Sequence, residues 1–210
     1  MRTLMALGAV VLSAALAAQE TGERRLTERA HQDRDIVYFL QQPETHSFDL
    51  YHDYTESRPG VDKYVNVVRA GSRSSKPSAM ILDTGEKLAA ETLRGDAISR
   101  AGIDIGEPVK EESEAVVIRF PAVAAGKSLR LRISETYTDP KSYRVDGEEL
   151  VFDRSLGRSR NAVVLPAGWY LTASAIPAAV SQTPDGRIRL DFVNPRPDEI
   201  AVLIKARRRK

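Results

Sequence analysis

In residues 129–133, LRLRI, apolar Leu129, Leu131 and Ile133 alternate with Arg130 and Arg132. That is the two-residue period of a strand with one face in a core and the other in water. His46, Phe48, Leu50, His52 and Tyr54 alternate in the same way with Ser47, Asp49, Tyr51, Asp53 and Thr55. Residues 64–70, 115–120, 187–193 and 200–205 follow the same pattern, and a β-rich apolar run at 36–40, IVYFL, opens the ordered part of the chain before Pro43 ends it. Turn signals separate the runs: Arg58-Pro59-Gly60, Asp146-Gly147, Pro184-Asp185-Gly186 and Asn194-Pro195-Arg196-Pro197. After the N-terminal segment, no stretch carries a sustained apolar stripe of helical period. Short strands joined by tight turns, without intervening helices, predict an all-β fold, an antiparallel β-sandwich with immunoglobulin-like layers.

The N-terminus has a different grammar. Arg2 precedes an uncharged run rich in Leu, Ala and Val that ends in small residues, with Ala15, Ala17 and Ala18 forming the cleavage region of a secretory signal. The run is shorter than the roughly 20 apolar residues a membrane span needs. Residues 1–18 therefore read as a signal peptide, 19–35 as a polar linker or arm, 36–207 as the sandwich domain and 208–210 as a basic tail. A polar stretch, EPVKEESE, centres a possible division into two sub-sandwiches near 111–113, but its length also suits an ordinary loop. The mature protein is expected to be secreted or periplasmic, with no membrane span once the signal is removed.

Composition narrows the chemistry. The chain of 210 residues has no cysteine, which removes disulfides and thiolate metal sites, so the domain must depend on its apolar core. With 31 basic against 29 acidic residues the net charge is +2, and no nucleic-acid partner is expected. The terminal cluster Lys205 to Lys210 reads as a solvated strand end, with contact to an anionic surface as the other reading.

Asp83-Thr84-Gly85 spells the catalytic tripeptide of aspartic peptidases. Those enzymes need two carboxylates about 3 Å apart sharing a proton. A second copy of the tripeptide is missing, so a dimer would have to supply it, and Ser155-Leu156-Gly157-Arg158 is similar to the later apolar-Gly element of the viral-type enzymes. Against catalysis, Glu86 would place a further carboxylate beside the pair. The layout also recurs: MIL-DTG-EKL, YRV-DG-EEL and SQT-PDG-RIRL each set an Asp and a Gly between strand-like runs. Asp83 is therefore read as a hairpin residue.

Other constellations fall short of a site. His46 and His52, read as neighbours on one strand face, would stand about 20 Å apart, too far to share a metal. His31 lies in the polar arm, no His-Glu-x-x-His occurs, and GSRSSKPS at 71–78 reads as a flexible loop. Trp169-Tyr170 follows a Pro-Ala-Gly turn and offers a stacking platform for a sugar, though a single tryptophan in a sandwich is more often core. No catalytic, cofactor-binding or metal-binding residue is assigned.

The segments QQPETHSFDLYHDY, PAVAAGKSLRLRISETYTD and LPAGWYLTASAIP resemble the β-rich N-terminal domain of glycyl aminopeptidase-like metallopeptidases, and also free-standing, uncharacterised secreted bacterial β-sandwich proteins. The similarity covers most of residues 36–207. In those peptidases the zinc helix belongs to a separate downstream domain, so the resemblance implies a scaffold and no catalytic residue. The expected function is a non-enzymatic binding or interaction module for a protein or cell-envelope component, using strand edges or loops such as 71–78 and 95–112. Two alternatives are a dimeric aspartic peptidase-like enzyme using Asp83 and a carbohydrate-binding module using Trp169.

Overall fold

The computed structural model describes residues 34–196 and 198–209. Ala15, Ala17, Ala18, His31 and most of the predicted arm lie outside the described residues. In chain order the strands are β1 (Arg34–Leu40), β2 (Ser47–Glu56), β3 (Lys63–Val67), β4 (Arg73–Ile81), β5 (Lys87–Arg94), β6 (Glu114–Arg119) and β7 (Leu129–Thr138). They continue as β8 (Tyr143–Asp146), β9 (Glu149–Leu156), β10 (Arg160–Val164), β11 (Trp169–Ser174), β12 (Ala179–Gln182), β13 (Ile188–Val193) and β14 (Ile200–Arg208). One short helix, α1 (Asp96–Arg100), lies between β5 and β6.

The chain is an all-β sandwich, and its strands fall into two sheets. The larger runs β12-β13-β10-β1-β2-β7-β4-β5-β6-β3, and the smaller runs β11-β14-β9-β8. Among the described residues only the β1–β10 ladder is parallel. At the β4–β5 hairpin just two residue pairs join the neighbours, Ala79 with Leu88 and Met80 with Lys87. Beyond that corner the sheet doubles back over its own inner face. Tyr64 of β3 meets the ring of His52 on β2 at 5.3 Å, and Asn66 of β3 donates to Glu135 and to the Tyr137 hydroxyl of β7.

The smaller sheet covers the other end of the same face. Phe152 of β9 packs 5.8 Å from Phe48 and 6.1 Å from Tyr38, ring centre to ring centre. A floor made by β1, β2 and β7 thus carries two separate covers. The period read from the sequence sets the floor's inner face, for Phe48, Leu50, His52 and Tyr54 are buried along β2 while Asp49 is exposed. Fully burying a side chain such as Phe48 is worth about 1.5–3 kcal/mol.

Several boundaries differ from the sequence reading. β1 takes in Arg34 and Asp35, assigned to the arm, and buried Arg34 stacks on the rings of Tyr54 and Tyr64 instead of extending into water. Residues 71–78 are not a loop: from Arg73 onward they belong to β4, which pairs with β7 along its length. At the other end β14 takes in Arg208, assigned to the tail, where an ion pair with Glu44 and a cation–π contact with Trp169 hold it. His46 precedes β2 with φ 53 and so lies outside the strand, its Nδ1 bonded to the Tyr143 carbonyl.

Candidate functional site

Each of the three Asp-Gly stretches closes a hairpin. At the β4–β5 turn, Gly85 takes φ +74 and its N–H donates to the Ile81 carbonyl, while the Ile81 N–H donates to the Glu86 carbonyl. The Thr84 hydroxyl accepts from the Glu86 N–H. Asp83 is exposed at the tip, far from the enclosed setting in which two carboxylates share a proton. The turn is what these residues build.

Trp169 is buried, 5% exposed. Its indole N–H donates to Gln42 Oε1 at 3.0 Å, and the Arg208 guanidinium sits over the ring at 5.1 Å. A sugar-stacking platform needs a bare ring face, so the carbohydrate alternative fails on burial. The loops named from sequence also change character: β4 sits between β7 and β5, and α1 with the segment after it lays Ile98 and Ile103 on the outer face of β6 against Ala115 and Val117.

The structure instead assembles a site from residues far apart in the sequence. Where the two covers fail to meet, a cleft of about 410 Å³ opens down to the floor. This lies in the range of ligand pockets, about 300–1,000 Å³. Arg34, Ile36, Tyr38, Leu50 and His52 form the bottom. All five residues of β3 line one wall; Arg154, Ser155, Gly157 and Arg158, at and beyond the end of β9, line the other. Arg58, Arg69 and Glu199 complete the rim.

Among the described residues, Arg34, Arg58, Lys63, Arg69, Arg154 and Arg158 line this opening with one acid, Glu199. Arg58 pairs with Glu56 at 2.7 Å, Lys63 with Asp62 at 3.6 Å, Arg69 with Glu199 at 3.9 Å and Arg154 with Asp139 at 2.6 Å. Burial pushes Glu56 up, but hydrogen bonds from Arg58 and Tyr54 outweigh it and hold the carboxyl at about 2. For Asp139, burial is likewise outweighed by hydrogen bonds from Ser142 and by Arg154, and its pKa is lowered.

Arg34 is different. It is 6% exposed, has no carboxylate partner among the described residues, and its Nε makes no hydrogen bond. Its guanidinium carbon stands 4.1 Å from the Tyr54 ring centre and 5.2 Å from that of Tyr64. Beside it His52, 3% exposed, leaves both ring nitrogens without a partner. Burial first, then the charges of Arg34 and Arg158, lower the His52 pKa to about 3, so the imidazole is neutral at ordinary pH. Buried polar groups are nearly always satisfied, and here two adjacent ones at the bottom of an open basic cleft have atoms without a partner among the described residues. The geometry offers a guanidinium, a neutral imidazole and aromatic edges, a set that binds anions. Among the described residues no group of His, Cys, Asp and Glu is placed to hold a metal ion.

Sequence reasoning had one usable signal for this site. His52 shares a strand face with Phe48, Leu50 and Tyr54, and a polar residue on an apolar face invites the question of what it meets. Arg34 gave none, because it was read as part of the arm.

No protein-family model matches the sequence, and neither does any curated protein. Solved structures do match. An aminopeptidase N family protein from Idiomarina loihiensis aligns at 11% identity and a TM-score of 0.44, over 82% of this chain and 29% of its own. An M1 zinc metallopeptidase from Deinococcus radiodurans aligns at 12% and 0.46, over 83% of this chain and 41% of its own. A candidate nutrient binding protein from Legionella pneumophila aligns at 8% and 0.41, over 86% and 68%. The chain thus spans less than half the length of the matched peptidases, and the faint similarity is to the N-terminal domain of M1 aminopeptidase-family proteins.

Proposed function

We propose that the protein is an exported, non-enzymatic binding module that takes an anionic group into the cleft between its two covers. One observation carries this reading: a buried guanidinium, Arg34, lacks a carboxylate among the described residues and lines an open cleft beside neutral His52. A buried charge without a counter-ion costs several kcal/mol, and a bound anion offsets that cost where solvent cannot. Export rests on the pattern of residues 1–18. Recovery from the cell of a mature protein that retains those residues would remove it.

The binding reading is tested by titrating the isotope-labelled protein with succinate at low ionic strength and following its backbone and arginine side-chain N–H resonances. Saturable shifts clustered at Arg34, His52 and β3 are expected, weakening as salt is added. Arg34→Met keeps much of the apolar stem and should lose at least a tenfold factor in affinity. Shifts that spread over the surface, or that survive Arg34→Met unchanged, would defeat the proposal.

A further inference from the structure

Among the described residues, the wall of the cleft formed by β3 is also an edge of the larger sheet. Which backbone groups face the opening follows from the β3–β6 register. Phe120 N–H donates to the Asp62 carbonyl at 2.9 Å and Val68 N–H donates to the Glu114 carbonyl at 2.8 Å, bracketing pairs of Tyr64 with Ile118 and Asn66 with Val116. Backbone direction alternates along an antiparallel strand. Even-numbered residues therefore bond to β6, while the N–H and C=O groups of Lys63, Val65 and Val67 turn toward the cleft. They form a row of donors and acceptors repeating about every 7 Å.

From this, and resting on the anion-binding reading above, we infer that the ligand is an extended peptide segment of a partner protein, which adds a strand to β3 and sets an acidic side chain on Arg34. A strand added at this edge continues the β5-β6-β3 cover. Its alternate side chains point the same way as Tyr64 and Asn66, down onto the floor. One inward position, level with Tyr64, meets Arg34 and His52 and calls for a carboxylate. The next, level with Asn66, lies over Ile36, Leu50 and Tyr38 and calls for an apolar residue. Outward positions face solvent and are free to vary. Backbone pairing supplies affinity and the two inward side chains supply selectivity, as in other strand-addition complexes.

Charge argues against a second copy of this chain as the occupant. Pairing two β3 edges would bring Arg34, Arg58, Lys63 and Arg69 of one molecule against the same cations of the other. Like charges so placed are destabilising.

The test uses a capped five-residue peptide with threonine at the outward positions and glutamate and valine at the two inward ones. Saturable binding is expected, with glutamine in place of glutamate weakening it at least tenfold. Methylation of the peptide amides that face β3 should abolish it, whereas methylation of the alternate amides should be tolerated. In the protein, Val65→Pro removes an N–H that takes no part in the β6 ladder, a position where proline is compatible with an edge strand. That variant should lose the peptide and keep the succinate response, which also reports that it is folded. If it does not fold, the two methylated peptides decide the matter alone. Succinate binding without peptide binding, or peptide binding indifferent to methylation, overturns strand addition and leaves the anion reading standing. Failure of both probes overturns both. Concentration-dependent dimerisation that Val65→Pro abolishes would instead assign the edge to a second copy and overturn the peptide as occupant.

Discussion

At the scale of single residues the floor of the cleft is a set of balanced penalties. The guanidinium of Arg34 is held over two tyrosine rings, a contact worth about 2 kcal/mol when desolvated. His52 faces that charge from the next strand, Arg158 adds another, and Tyr64 of β3 closes over the imidazole edge-on. Among the described residues no carboxylate bonds to the ring to favour its protonation. The consequence for acid stability has a definite sign. The folded pKa of His52, about 3, lies below the ordinary value of 6.5, so between these limits the unfolded chain binds a proton that the folded one refuses. Above pH 6.5 the group costs nothing; as pH falls from 6.5 toward 3, stability is lost at up to about 1.4 kcal/mol per pH unit. Glu56 adds its own loss only lower, below about pH 4.5, as its depressed carboxyl is approached. His52→Leu, which keeps an apolar contact with Tyr64, should flatten the limb between pH 6.5 and 4.5. Urea midpoints across that range read the effect directly, and parallel limbs for the two proteins would refute it.

At the scale of elements, alternation made some strands plain and concealed others. The stretch at 129–133 and the inner face of β2 were legible because an inward-facing residue, in most places apolar, recurs at every second position. β4 was not. Its sequence, RSSKPSAMI, opens with small polar residues because inward-facing Ser74 serves two buried acids, its N–H donating to Glu114 and its hydroxyl to Glu135. A strand whose partners are carboxylates reads as a loop. Glu114 misled in the same way, closing a stretch that looked like linker although it is 2% exposed and held by Arg94 and Arg73. Burial, with the neighbouring Glu114 charge, raises the pKa of Glu135 even though Ser74 and Asn66 donate to it. The candidate site was hidden more deeply still, since its cations come from β1, β3, β9 and the segments between strands. The register of β4 against β7 shifts between Ser75 and Ser78, and the exposed residue at the bulge, Lys76, has φ 52. A left-handed conformation costs a side-chain-bearing residue about 1–2 kcal/mol, part of which glycine gives back through its freer unfolded chain. Lys76→Gly is therefore expected to stabilise the protein by about 0.5–1 kcal/mol, seen as a higher urea midpoint with an unchanged slope. A lower midpoint would mean that the lysine, or the stiffness it lends before Pro77, matters more than the strain.

At the scale of the whole molecule, two covers share one floor, and the question is whether they unfold together. The corner at β4–β5 is a thin connection, and the cleft leaves a seam between β3 and the end of β9. Against independent unfolding stands what each cover buries on the floor. Lifting β5-β6-β3 would strip Tyr64 from His52 and Tyr54, break the Asn66 bonds to Glu135 and Tyr137, and take the buried Glu114 from the Ser74 N–H and from Arg73 of β4. Lifting the smaller sheet would uncover Phe48 and Tyr38 and separate Arg154 of β9 from Asp139, which follows β7. Breaking a buried ion pair alone costs about 3–5 kcal/mol, a large part of the 5–15 kcal/mol that holds a typical domain folded. Neither cover can leave without removing most of the stability of the other, so a single cooperative transition is expected. Trp169, the only tryptophan, reports on the smaller sheet, and hydrogen exchange at Val116 and Ile118 of β6 reports on the other cover. In urea the fluorescence transition and the free energies of exchange should coincide within error. A β6 that exchanges at markedly lower free energy than the fluorescence transition gives would show the β3 cover opening by itself, making the cleft a hinge between two bodies.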